Sequence, residues 1–142
     1  MSTRSYIGKE VGPNQYKAMY CGHDGYLDHV GRILFECYNT PERVDRLIAL
    51  NEINALGERL PDESGEGGVT DPYQDARHAE VLTKETLEEL AADMFTADYI
   101  YLFTKEEKWI CFRYCSANSQ WHDLEELLQD TLSLNGMNLK MN

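Results

Sequence analysis

The chain has 142 residues, of which 25 are acidic and 13 basic, and its formal net charge at pH 7 is −12. The length suits a single domain, residues 1–142, and 42% of the residues are hydrophobic, which is enough for a core. Binding of nucleic-acid backbones or anionic membranes needs clustered Lys and Arg, so this charge excludes both as general functions.

The sequence contains no apolar run of 18 residues, and the start MSTRSYI lacks the apolar segment of a secretory signal. We therefore expect a cytoplasmic protein without bound cofactors. Cysteines in that compartment are reduced thiols, and four are present: Cys21, Cys37, Cys111 and Cys115.

The first predicted elements form a β-hairpin. Residues 3–11 and 15–21 alternate in polarity, and Gly12-Pro13-Asn14 between them is a turn signal. Two helices follow. The first has an apolar stripe at spacings of three and four from Leu27 to Cys37, and the second begins at Thr40-Pro41-Glu42, where Thr is suited to the N-cap and Pro to the first helical position.

Residues 61–73 predict a flexible acidic loop, because three glycines, two prolines and several carboxylates cannot bury apolar surface. A helix capped by Thr83 comes next. A second hairpin is predicted from strands 99–104 and 108–115, and a last helix from residues 123–134, with a frayed tail at 136–142. Because the strands come in hairpins, we expect an α+β domain: two antiparallel β-hairpins forming one sheet, with about four helices packed on one face.

The corner between the first hairpin and the first helix holds Cys21, His23 and Asp24, three residue types used in nucleophilic catalysis. Neighbours on a turn point away from one another, so the corner also fits a structural turn in which Cys21 is a small buried side chain. The cysteine and histidine spacings do not suit zinc, because His29 and Cys37 lie about 12 Å apart along one helix. No catalytic or metal-binding residue is therefore assigned, and we expect a non-enzymatic protein.

Aromatic residues are frequent in the predicted second hairpin. If one sheet face is open, they would form an aromatic patch of Tyr99, Tyr101, Phe103 and Trp109. Such a patch stacks on nucleobases, and Arg4, Lys17, Arg32 and Arg113 are available to hold a phosphate. A nucleotide ligand is therefore one alternative.

The excess negative charge is concentrated after residue 60. Residues 1–60 contain seven basic and eight acidic side chains, whereas residues 61–142 contain six and seventeen. Helical carboxylates three or four positions apart are spaced somewhat like backbone phosphates, which favours partner binding and nucleic-acid mimicry over a purely solubilising surface. The predicted partner-binding residues are Glu80, Glu85, Glu88, Glu89, Asp93, Asp123, Glu125, Glu126 and Asp130.

Two sequence words, STRSYIG at residues 2–8 and YCGHDGY at residues 20–26, followed by Val30-Gly31, resemble a family of small uncharacterised bacteriophage and mobile-element proteins. That family has Tyr-Cys-His-Trp-Asp-Gly-Tyr-Pro at the corner, so Gly22-His23 and Leu27 depart from its pattern. The strand at 99–103 and Trp109 also resemble its second hairpin. The resemblance implies a phage setting, and hence the host cytoplasm, but no activity or site.

These observations give three hypotheses for the function. The first is a counter-defence inhibitor of anti-CRISPR or anti-restriction type, whose acidic surface binds a basic surface of a host defence nuclease. The second is a protein that binds or cleaves a nucleotide signal of host immunity. The third is a housekeeping interaction domain, and the sequence leaves the oligomeric state, including a homo-oligomer, open.

Overall fold

The computed structural model describes residues 3–63, 65, 67–93, 97–113 and 120–130. These residues form an α+β fold around one mixed sheet of eight strands, which confirms the predicted class. The strands are β1 (Ser5–Gly12), β2 (Gln15–Cys21), β3 (Glu52–Ala55), β4 (Asp71–Pro72), β5 (Glu80–Leu82), β6 (Tyr99–Phe103), β7 (Trp109–Arg113) and β8 (Trp121–Asp123).

The sheet order is β4-β3-β2-β1-β6-β7-β8, and β5 pairs with β2 beside β3. The pairs β1–β2 and β6–β7 are antiparallel, but β1–β6 and β2–β3 are parallel, so the prediction of a fully antiparallel sheet is wrong. The parallel β1–β6 pair has a topological cause. Strand β5 runs antiparallel to β2 and therefore in the same direction as β1. The helix between β5 and β6 carries the chain back to the start of the sheet, as in a βαβ crossover, so β6 also runs in the direction of β1.

The helices begin where local sequence favours them. A π-helical turn at Leu27–Gly31 leads into α1 (Arg32–Cys37), followed by α2 (Pro41–Ile48), α3 (Lys84–Ala92) and α4 (residues 124–130). Thr40 and Thr83 act as N-caps, as predicted, by accepting hydrogen bonds from the backbone N–H groups three residues later. Within the described residues, every helix is too short or too polar to span a bilayer.

Both faces of the sheet are covered, so the expectation of helices on one face is wrong. On the front face, Ile7, Met19 and Phe103 pack with Leu47 of α2 and Leu124 of α4. On the back face, the buried cluster is Tyr16, Ala18, Ile100, Leu102 and Phe112, packed with Leu87 and Ala91 of α3. The alternation of buried residues along β1, β2 and β6 supplies both clusters, because successive strand side chains point to opposite faces.

The segment predicted as the acidic loop is partly ordered by pairing. Arg59 and Val69 form an isolated bridge, Thr70 is buried, and Asp71–Pro72 pairs with β3 as strand β4. The prediction that the rest of residues 61–73 is flexible is not tested. The predicted tail at 136–142 and the last helix beyond residue 130 lie outside the described residues, as do Tyr114 and Cys115.

Candidate functional site

The corner after β2 is a tethered turn. The Cys21 thiol donates to the carbonyl of His23 (3.4 Å), and the His23 Nδ1 atom lies 3.2 Å from the Asn54 carbonyl. Gly25 is held from both sides, because its N–H donates to the Thr3 carbonyl (2.8 Å) and its own carbonyl accepts from the Tyr101 hydroxyl (2.8 Å). These bonds fix the chain direction into the π-helical turn.

The three side chains of the corner do not converge. Cys21 is fully buried, and burial raises the pKa of its thiol to about 11, which keeps it protonated and unreactive at neutral pH. His23 and Asp24 are exposed, and Asp24 has a positive φ of 54°. The helical turn that begins at Leu27 has no side-chain cap, so the Asp24 carboxylate does not cap it. The geometry favours the structural interpretation of this corner.

The predicted aromatic patch is mostly core. Tyr101, Phe103 and Trp109 are buried on the front face of the sheet, where helices cover them. Tyr99 is half-buried. Tyr99 stacks on Tyr101 with ring centroids 5.9 Å apart. Three of the four rings therefore pack in the core and not on an exposed sheet face, and Trp109 also lines a pocket described below.

The four cationic side chains predicted to hold a phosphate lie beside different residues. The Arg4 and Arg113 guanidinium groups oppose the burial that raises the pKa of Tyr20 and of Tyr99, respectively, and Arg32 forms an ion pair with Asp28 in the preceding turn. Lys17 is exposed on β2.

The predicted acidic residues are divided by the sheet. The carboxylates of α3 lie on the back-face helix, whereas those of α4 belong to the front-face helix, since Leu87 and Leu124 enter different core clusters. On α3, two of the carboxylates already have neutral partners: Glu85 accepts from Asn14 Nδ2 (3.0 Å), which lowers its pKa, and Glu88 accepts from the Trp121 indole N–H (3.0 Å). The two acidic helices therefore do not form one continuous surface.

A pocket of about 340 Å³ on the front-face side brings four carboxylates together. Two of them, Asp123 and Glu125, were predicted partner-binding residues. We call this site the acidic pocket, and its lining residues are Phe35, Glu36, Asn39, Glu107, Lys108, Trp109, Asp123 and Glu125. Three of the carboxylates are exposed and Asp123 is half-buried, so the charge faces solvent.

Several elements position the acidic pocket. Glu36 comes from α1, and Glu107 from the β6–β7 turn, where it has a positive φ of 60°. Asp123 ends β8 and accepts from the Glu125 N–H (2.9 Å), which caps α4. Trp109 forms part of the floor and is held in place because its indole N–H donates to the Tyr38 carbonyl (2.8 Å).

The carboxylates of the acidic pocket lie outside the ion pairs found among the described residues. Six such pairs join side chains between residues 9 and 77, and none involves the four pocket carboxylates. Lys108 is the one cationic side chain among the described lining residues. Within the described ranges, no group of three or more His, Cys, Asp or Glu residues has metal-binding geometry.

An Arg or Lys side chain fits the chemistry of the acidic pocket. Carboxylates at the mouth would accept hydrogen bonds from a guanidinium or ammonium group, while the aliphatic stem lies on the aromatic rings of Phe35 and Trp109. Sequence reasoning missed Glu36 and Glu107. Glu36 lies outside the acidic half of the chain, and Glu107 was interpreted only as part of a turn, so neither had a spacing signal.

Comparison with protein-family models, curated proteins and solved structures gives no match for this chain. The resemblance to phage proteins therefore stays a prediction.

Proposed function

We propose that this chain is a non-enzymatic binding protein whose acidic pocket receives a basic side chain of a partner protein. The observation that carries the proposal is the pocket itself, which four carboxylates and two aromatic residues line, with Lys108 as the one cationic residue among its described lining residues. Because Arg forms bidentate contacts with carboxylates and stacks on aromatic rings, it is the preferred occupant.

The charge of the whole chain supports a basic partner. A net charge of −12 accelerates encounters with positively charged surfaces and disfavours acidic ones. Residues 61–142 carry most of this excess, and that part of the chain supplies three of the four pocket carboxylates.

The partner class that we propose is a host defence nuclease, which makes the protein a phage or mobile-element counter-defence inhibitor. Nucleases that act on nucleic acid present basic grooves, and an acidic protein can occupy such a groove. The resemblance of STRSYIG and YCGHDGY to phage proteins supports the setting. A nucleic-acid mimic would use α3 or α4 singly, since these helices lie against opposite faces of the sheet.

Binding to a purified CRISPR effector nuclease and to a purified restriction endonuclease, measured over a series of salt concentrations, tests this partner class. We expect affinity for one of them to fall as salt rises, because ions screen exposed charge pairs. Binding that is independent of salt, or absent for both nucleases, would contradict the proposed partner class.

A further inference from the structure

A second pocket lies on the back face of the sheet, beside β2 and β3, and has a volume of about 150 Å³. A cavity of about this size holds one benzene ring, so a single planar ring fits it. We call it the tyrosine pocket. The lining residues on which its chemistry depends are Tyr6, Tyr20, Glu52, Arg77, His78 and Glu80.

Glu52 is a buried carboxylate in this lining, with only 8% of its side chain exposed. Its Oε1 atom accepts from the backbone N–H of Arg77 (2.9 Å) and from the Arg77 Nε–H (3.3 Å). Both bonds use one oxygen, so Oε2 is the Glu52 atom that a pocket ligand would contact. A buried carboxylate is costly unless it accepts hydrogen bonds, which favours a ligand with N–H donors.

The walls of the tyrosine pocket are aromatic. The rings of Tyr6 and Tyr20 are 5.5 Å apart in an edge-to-face arrangement, and the Arg77 guanidinium lies 5.4 Å from the centre of the Tyr20 ring. Burial raises the pKa of both phenols despite the opposing effect of Arg77, so their hydroxyl groups are protonated at neutral pH and can donate or accept hydrogen bonds.

The tyrosine pocket is less negatively charged than the acidic pocket. Glu52 forms an ion pair with Arg77, and the exposed Glu80 is the one other carboxylate among the described lining residues. A neutral ring or a ligand with one anionic group is therefore not repelled here as it would be elsewhere on this protein.

We propose that the tyrosine pocket binds a nucleobase with an exocyclic amino group. The amino group donates to Glu52, the base packs against Tyr6 and Tyr20, and the sugar projects from the mouth. Arg77, whose side chain is 73% exposed, and His78 lie at that mouth, where a 5′-phosphate would be placed. Carboxylates accept hydrogen bonds from the amino group of cytosine, and aromatic side chains stack on any base.

This inference goes beyond the proposed partner binding and does not depend on it. The tyrosine pocket uses Ala18 and Leu82 of the back face, whereas the acidic pocket has Phe35 and Trp109 of the front face as its floor. Loss of partner binding and loss of nucleobase binding are therefore separate results.

Titration of the intact chain with cytidine and with uridine, followed by ¹H–¹⁵N NMR, tests the inference. The two nucleosides differ at the position of the exocyclic amino group. We expect saturable shifts of β2 and β3 amides with cytidine and about tenfold weaker binding of uridine, because uridine cannot donate an amino hydrogen to Glu52. Absence of shifts with cytidine, or equal affinity for cytidine and uridine, would overturn the inference.

A second arm of the titration compares each nucleoside with its 5′-monophosphate. If the monophosphate binds more tightly than the nucleoside, and Arg77→Gln removes this difference in affinity, the pocket is a nucleotide site. If the nucleoside and its monophosphate bind with equal affinity, the pocket is a site for the nucleoside or the base, and Arg77 only forms its ion pair with Glu52.

Variants locate the binding. We expect Glu52→Gln to weaken cytidine binding about tenfold. Glu42 is an exposed carboxylate on α2, and we expect the control variant Glu42→Gln to leave cytidine binding unchanged. If Glu52→Gln does not fold, Tyr20→Leu is the second variant and Tyr26→Leu, an exposed tyrosine, is its control. Cytidine binding that survives in folded Glu52→Gln and in Tyr20→Leu would contradict the proposed site.

Discussion

The three cysteines that the structure describes differ in burial, and burial determines how reactive each thiol is. Cys21 was a candidate nucleophile in the sequence, but its thiol is fully buried and protonated. Cys111 is also buried, and desolvation raises its pKa to about 12. Cys37, at the end of α1, is only half-buried, and its pKa is raised less by burial. Burial is set by the assembled sheet and helices, so the residue spacing alone left both the catalytic and the buried interpretation of Cys21 open.

We expect iodoacetamide to modify Cys37 well before Cys21 and Cys111 in the folded chain. The thiolate is the reactive species, and a raised pKa means that it forms only as the pH rises towards that value. Peptide mass spectrometry of samples quenched over time, at pH 7 and pH 9, gives the order. Modification of Cys21 as fast as Cys37 would indicate that the corner is open and would revive Cys21 as a candidate nucleophile.

Gly57 lies where two backbone segments meet. A Cβ atom added there would be 2.2 Å from the Gly68 carbonyl oxygen, and the Tyr38 hydroxyl donates to the Gly57 carbonyl (2.9 Å). We expect Gly57→Ala to lower the free energy of unfolding by about 2 kcal/mol, because backbone atoms cannot yield as a flexible side chain does.

Urea unfolding measures this effect. Gly22→Ala is the matched control, since its added Cβ would have no neighbour closer than 3.9 Å, and we expect it to stay within about 0.5 kcal/mol of the wild type. Equal stabilities of the two variants would show that the contact between Gly57 and Gly68 is not close-packed in solution.

At the scale of elements, the sequence predicted those with strong local signals. The Thr40 and Thr83 caps, the turn at Pro13-Asn14 and the strand at Tyr99–Phe103 all depend on neighbouring residues. Strands β3, β4, β5 and β8 were missed because they have two to four residues each, too few to show alternation. Long-range pairing decides them, and it also decides the parallel β1–β6 contact.

Long-range contacts also explain which residues of the candidate site were not predicted from the sequence. Asp123 and Glu125 were found because they lie in an acidic helix, but Glu36 and Glu107 come from other elements and join them only in the assembled fold. Likewise, Glu52 was not considered as part of a site because β3 was not predicted.

Helix α3 offers a test of an individual element. The Thr83 hydroxyl accepts from the Thr86 N–H (3.1 Å), and this bond satisfies a donor that the helix itself leaves unpaired. We expect Thr83→Ala to cost about 1 kcal/mol of unfolding free energy and Thr83→Ser to restore most of it. Chemical denaturation of both variants measures the difference, and a serine variant as unstable as the alanine variant would argue against the cap.

Over the whole molecule, the acidic charge has both local and long-range consequences. The described ion pairs of residues 9–77 neutralise carboxylates such as Asp45 and Glu63 locally. The carboxylates of the acidic pocket are outside those pairs and remain available to a partner. The remaining negative charges repel one another, and this repulsion opposes the compact state.

We therefore expect the melting temperature to rise when sodium chloride is added at low ionic strength, because counter-ions screen the repulsion between like charges. Differential scanning calorimetry at several salt concentrations measures this trend. A melting temperature that falls with salt would mean that attractive ion pairs outweigh the repulsion.

The central claim is that the acidic pocket, and not net charge alone, binds basic side chains. Two variants of the chain separate these causes, each raising the formal charge from −12 to −8. The pocket variant carries Glu36→Gln, Glu107→Gln, Asp123→Asn and Glu125→Gln, and Asn keeps the helix cap. The helix variant carries Glu85→Gln, Glu88→Gln, Glu89→Gln and Asp93→Asn.

Calorimetric titration of a short oligo-arginine peptide into the wild type and both variants distinguishes the two causes. We expect the pocket variant to lose most of the peptide affinity and the helix variant to keep most of it. Equal losses in the two variants would show that binding follows total charge, and a greater loss in the helix variant would place the binding site on α3; either result would rule out the acidic pocket as the binding site.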